Sequence, residues 1–156
     1  MTRKRTMRKK VQDSIIPELG SIRRVSSKAD YKAYCRLYLE GFGYALERRL
    51  ALWLLKRQIY RRSYVWEHEG QYKGIFALIE DERRRVTPDV KFRLLCNVVL
   101  AKNSRGQGLS KYLIYAALDT AHTLGYDELI LDVAVDNLPA INLYTSLGFE
   151  FIDSLS

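Results

Sequence analysis

The stretch that most constrains this chain is residues 90–125. There VKFRLLCNVVL runs into NSRGQGLS and then into an apolar helical pattern closed by Gly125. The β-branched and apolar residues of Val90–Leu100 predict a central strand. Gly106 and Gly108 predict a tight turn, and the pattern from Gln107 to Leu124 predicts a helix with Gly125 as its left-handed cap. ELILDV at Glu128–Val133 predicts a further buried strand. Such a unit sets a helix N-terminus at the end of a strand. Its first backbone N–H groups lack helical acceptors, and the positive end of the helix dipole lies behind them. That arrangement suits a phosphate or pyrophosphate, with Arg105 adding a fixed charge. An ordinary strand-to-helix connection looks the same. The loop has no Gly-Lys-Ser/Thr and no G-x-G-x-x-G, so neither of those nucleotide fingerprints applies.

The remaining segments read as one mixed domain. Ser21–Val25 is a short strand, and a helix runs from Lys28 to Leu39 until GFG at 41–43 ends it. A second helix is expected over Ala45–Tyr60, with Leu46, Leu50, Trp53 and Leu54 on one stripe and Arg48, Arg49, Lys56 and Arg57 off it. That stripe is expected to pack on the core; a membrane or nucleic-acid surface is the other use for a basic amphipathic helix. Tyr64–His68, a turn at Glu69-Gly70 and Gln71–Glu80 form a hairpin, followed by the charged loop DERRRVTPD. Leu138–Leu147 is a short helix and Gly148–Ile152 a last strand. Helices alternate with strands only in the second half, which predicts an α+β fold around one sheet.

Charge is unevenly placed. The formal net charge is +8, and residues 1–10 hold six basic residues and no acidic one, leaving +2 for the rest. Residues 1–20 are therefore expected to be a flexible basic tail preceding a domain over 21–156. The tail could also hold RNA, a ribosome or another anionic surface. No apolar segment follows it as in a secretory leader, and no run approaches 18 apolar residues, so no membrane association is expected. Cys35 and Cys96 are widely separated and the two histidines show no ligand spacing, so no metal site is expected and a reducing, cytoplasmic setting is.

Two linked motifs carry a resemblance. RGQGLS at 105–110 and LDVAVDNLPAINLYTSLGFEF at 131–151, with Asn137, Ala140, Tyr144, Gly148 and Phe149 in order, resemble the GNAT superfamily of acyl-CoA-dependent N-acetyltransferases. The resemblance implies a single domain with a mostly antiparallel twisted sheet, a splay between the fourth and fifth strands, and helices on both faces. It implies acetyl-CoA as co-substrate and a primary amine as acceptor, a protein or peptide amine being slightly favoured. By the same resemblance Val98 and Leu100 offer backbone hydrogen bonds to the pantetheine arm and thioester. Arg105, Gly106, Gln107, Gly108, Leu109 and Ser110 hold the pyrophosphate, and Asn137 contacts the coenzyme or fixes its turn. Tyr144 protonates the departing thiolate. Asp132, twelve residues before Tyr144, is either the base or an outward-facing strand aspartate. Cys96 reads as a small core residue. Ser110 stands where the family usually has Gly or Ala, and Lys102 where it usually has proline. The family usually continues through a further strand after Gly148-Phe149. The few residues that follow here lead to the expectation that this strand is absent and that the acceptor side is open or completed by a second subunit as a homodimer. A non-catalytic coenzyme-binding protein and a nucleic-acid-binding protein are the alternative functions.

Overall fold

The computed structural model describes residues 3–11 and 20–152. One seven-stranded sheet organises them. In chain order the elements are β1 (Lys4–Lys10), β2 (Ser21–Arg24), α1 (Lys28–Phe42), α2 (Leu46–Leu54), α3 (Lys56–Arg62), β3 (Ser63–His68) and β4 (Gln71–Ile79). They continue with β5 (Phe92–Leu100), α4 (Ser110–Thr123), β6 (Glu128–Ala134), α5 (Leu138–Ser146) and β7 (Glu150–Phe151). The strand order is β2-β3-β4-β5-β6-β1-β7, and every neighbouring pair is antiparallel except β5 and β6. This is the mostly antiparallel α+β sheet that the sequence predicts. Helices cover both faces. Leu113, Ile114 and Leu118 of α4 pack with Phe76, Leu95, Leu129 and Leu131 on one face. Tyr34, Leu37, Leu52 and Ile59 pack with Val65, Ile75 and Val99 on the other.

Residues 4–10 correct the expected tail. They form β1, which pairs with β6 from Lys4↔Ala134 to Lys10↔Glu128 and with β7 at Met7↔Phe151. Met7 is fully buried in the core. Two of the basic side chains around it have partners. The Arg5 guanidinium lies 3.8 Å from the Phe151 ring centroid, and Arg8 donates to Thr87 Oγ1 at 3.1 Å. A run of basic residues looks like a solvated end, yet one apolar residue and backbone pairing on both sides suffice to seat it in a sheet. The remainder of the expected tail, residues 12–19, lies outside the described residues.

The helix expected over Ala45–Tyr60 is two helices meeting at Leu55. They dock through Leu52 and Ile59, seven residues apart, while Leu46, Leu50, Trp53 and Leu54 stay exposed. The expected core stripe is thus corrected: the break at Leu55 and the Leu52–Ile59 contact face the pair differently. At the other end of the domain, α4 starts at Ser110 rather than Gln107. It ends as predicted, with Gly125 at φ 86. Gly125 N–H donates to His122 O and Tyr126 N–H to Ala121 O, the paired bonds of a Schellman cap.

Candidate active-site groove

The splay begins inside β5. Only Phe92, Arg93 and Leu94 pair with β6, opposite Glu128, Leu129 and Ile130. Three residues later Asn97 has φ 55, and the β4–β5 register slips by one between Ile75↔Val99 and Ala77↔Cys96. This is a bulge: one extra residue bends β5 away from its parallel neighbour. Asparagine tolerates the left-handed backbone, and its Nδ2 donates to the Tyr34 hydroxyl at 3.1 Å, which holds the bulge against α1. Sequence reasoning missed Asn97. The available signal was a polar amide in the middle of an otherwise apolar strand.

Along the diverging end of β5, beneath α4 and α5, lies a groove of about 290 Å³. Val98 and Leu100 of β5 form one wall, Ser110 and Leu113 the start of α4, and Ala140, Leu143 and Tyr144 of α5 the other wall. Four predicted site residues, Val98, Leu100, Ser110 and Tyr144, are thereby brought together from three elements.

The loop at one end of the groove is shaped by its own side chains. Arg105 Nε donates to Leu100 O at 2.9 Å, and Gln107 Nε2 to Asn103 O at 2.9 Å. Gly106 and Gly108 have φ of 75° and 70°, a region that costs other L-residues strain. A Cβ added at either would meet nothing within 4 Å, so the space above the loop is open. Among the described residues the backbone N–H groups of Gly106, Gln107, Gly108, Leu109 and Ser110 donate to no other group, and α4 has no side-chain cap. An uncapped 14-residue helix with a row of free donors and open space before it can accept a phosphate.

Tyr144 is half-buried, edge-on to Phe149 with ring centroids 5.8 Å apart. Burial pushes its hydroxyl above the ordinary tyrosine range, so it carries its proton at neutral pH. Asn137 is the N-cap of α5, its Oδ1 accepting from Ala140 N–H at 3.3 Å, which places it as the residue that fixes this turn. Cys96 is pushed up to about 12 by burial, which leaves it a thiol.

Asp132 stands apart from Tyr144. Leu131 and Val133 on either side of it enter the core beneath α4 and α5, so Asp132 points to the opposite face. There its carboxylate accepts from Arg84 Nη1 at 2.8 Å, from Arg84 Nη2, and from Thr6 Oγ1 at 2.9 Å. The Arg84 guanidinium is the main reason its carboxyl lies below the usual range. A carboxylate so held is a weak proton acceptor. Two of its partners, Thr6 on the basic run and Arg84 in the charged loop, had no recognisable signal in the sequence.

Comparison with known proteins gives a consistent picture. The family model described as Acetyltransferase (GNAT) family matches residues 29–149. N-alpha-acetyltransferase 30 of Schizosaccharomyces pombe is 38% identical over 87 residues, 56% of each chain. Matches to curated relatives span 20% to 56% of those proteins' own lengths. Among solved structures, a GNAT-family acetyltransferase from Colwellia psychrerythraea superimposes with a TM-score of 0.72 at 15% identity, over 97% of this chain and 53% of that one. Ribosomal-protein-alanine N-acetyltransferase from Brucella melitensis gives a TM-score of 0.60 at 26% identity, over 83% of this chain and 84% of the other.

Proposed function

Because the chain belongs to the acetyltransferase (GNAT) family, we propose that it transfers the acetyl group of acetyl-CoA directly to a primary amine, with a peptide or protein α-amine as the favoured acceptor. The observation that carries this reading is one continuous groove. Ser110 at one end of it adjoins a row of N–H donors, and the protonated Tyr144 hydroxyl lies along its wall, both without hydrogen-bond partners among the described residues. The donor row fits a pyrophosphate, and the narrow cleft along Val98 and Leu100 fits an extended amide-bearing arm. The acceptor class is supported by N-alpha-acetyltransferase 30 and by the ribosomal-protein-alanine enzyme, whose names describe acetylation of α-amines or of proteins.

The chemistry needs few groups. The neutral amine nitrogen forms the C–N bond at the thioester carbonyl, and the C–S bond breaks as the intermediate collapses. Tyr144 O–H gives its proton to the departing sulfur, whose thiol has an ordinary pKa of about 8.5. The nitrogen loses its extra proton to water, from which Tyr144 is reprotonated. An α-amine with a pKa of about 8 is partly neutral near pH 7.5 and needs no strong base, whereas a lysine at about 10.4 would. Asp132 could accept the proton only after releasing Arg84, which further favours an α-amine.

The test is incubation with acetyl-CoA and peptides bearing free α-amines, against polyamines and aminoglycosides, following free thiol. Release with peptides is expected. Confirmed coenzyme binding with no release from any acceptor would favour a non-catalytic coenzyme-binding protein.

A further inference from the structure

A second cleft, of about 340 Å³, opens at the other end of the sheet from the glycine loop. It lies where β2, β4 and α3 end and β5 begins, and it is lined by Arg24, Arg61, Arg62 and Arg93 against one carboxylate, Glu80. Glu80 compensates little: its Oε2 is 3.8 Å from Arg93 Nη2, and its side chain is 75% exposed. Arg61 and Arg62 make no ion pair or hydrogen bond among the described residues, while Arg24 donates to the Tyr64 hydroxyl at 3.3 Å. One guanidinium is held over a ring, Arg93 4.1 Å from the Tyr126 centroid, while Arg24 is held at the hydroxyl end of Tyr64, 5.8 Å from its centroid. Arg93 Nη1 also donates to Phe92 O at 2.9 Å. Stacking on Tyr126 and this bond fix the guanidinium, while its Nε and Nη2 donors make no hydrogen bond among the described residues and can meet an oxyanion.

We propose that this cleft is an anion site for a compact ligand carrying two or more phosphate groups, distinct from the groove beside Tyr144. Four converging positive charges with one exposed counter-charge repel one another unless an anion joins them. One carboxylate would engage a single fork; adjacent phosphates present enough oxygens for several bidentate contacts. The volume is that of a small-ligand pocket. From Arg93 to Leu100 there are seven strand steps, or roughly 23 Å at about 3.3 Å each, so a ligand here does not overlap one at the glycine loop. Inorganic polyphosphate and the tail of a nucleoside triphosphate share this chemistry.

Calorimetric titration of tripolyphosphate into the full chain, presaturated with coenzyme A at low salt, tests the proposal. One-to-one binding is expected, weakened at least tenfold in R61Q/R93Q, with the coenzyme's own affinity within twofold of the parent. Arg61 is exposed and its side chain has no partner among the described residues, so R61Q alone serves if the double variant misfolds, with a smaller loss in the same direction. R48Q/R49Q, which alters arginines outside the cleft, should leave binding unchanged. ATP and AMP identify the source: ATP equal to tripolyphosphate, with AMP silent, indicates a nucleotide tail, and tripolyphosphate alone indicates an inorganic anion. No binding, an equal loss in R48Q/R49Q, or binding only by an RNA oligonucleotide would overturn the compact-polyphosphate assignment. If coenzyme A does not bind, the same variants compared on the free chain give the same answer.

Discussion

Replacing Gly108 by alanine separates the cost of a backbone conformation from the loss of a ligand site. Gly108 sits at φ 70, and its added Cβ would touch nothing within 4 Å. The free protein therefore loses only the left-handed penalty, about 1–2 kcal/mol. For a chain of this size that lowers the melting temperature by about 3–6 °C. Gly125, at φ 86 with an equally open Cβ position, caps the far end of the same helix and should cost the same. The two variants should differ once coenzyme A is present. At a hundredfold excess over Kd, the ligand adds about 2.7 kcal/mol to the parent protein. The open space above Gly108 is where the pyrophosphate would rest on the free N–H row, so a methyl there disturbs charge-assisted hydrogen bonds worth about 1.5–3 kcal/mol each. In differential scanning calorimetry G125A should keep the full coenzyme-induced shift, and G108A should lose most of it. Equal shifts in both variants would refute the assignment of the loop to the pyrophosphate.

Met7→Ala should destabilise the protein by about 2–4 kcal/mol in urea denaturation, because Met7 is fully buried; an effect near zero would mean that residues 4–10 are a tail after all. Asp30 is buried and accepts from Arg23 at 2.7 Å and from Tyr72 at 2.8 Å, and the Arg23 guanidinium chiefly holds its carboxyl well below the usual range. Its folded-state pKa is depressed, so its contribution is complete above the unfolded value of about 3.9 and is lost as pH falls through the folded one. Asp30→Asn should therefore cost about 2–3 kcal/mol at both pH 7 and pH 5, and less below pH ~4; a penalty that grows on acidification would contradict this. Ser110→Ala should barely change coenzyme A affinity while Ser110→Leu abolishes it, measured by fluorescence titration, since Ser110 is exposed at the groove mouth.

Local chemistry made one half of the molecule readable. Gly125 as a left-handed cap and two glycines at a strand-to-helix turn are local signals, and each appears where its residues predict. The family resemblance, carried by the two linked motifs, is what named Val98, Leu100, Ser110 and Tyr144, which line one groove. What could not be read depends on partners distant in sequence. β1 is held by β6 and β7, more than a hundred residues away, and its composition carries no sign of that pairing. The orientation of α2 depends on a break at Leu55, where neither glycine nor proline stands. Asp132 looked like a candidate base because of its spacing of twelve residues from Tyr144; Arg84 and Thr6, which occupy its carboxylate, were not visible.

The central claim is that Tyr144 gives a proton to the leaving sulfur within a coenzyme-bound groove. Free-thiol release from acetyl-CoA with an α-amino peptide, comparing the parent with Tyr144→Phe at saturating coenzyme, tests it most directly. The ring and its contact with Phe149 are preserved, so the KM for acetyl-CoA should stay within about twofold while kcat falls about 10²-fold or more. An unchanged kcat, or a loss confined to KM, would contradict the account.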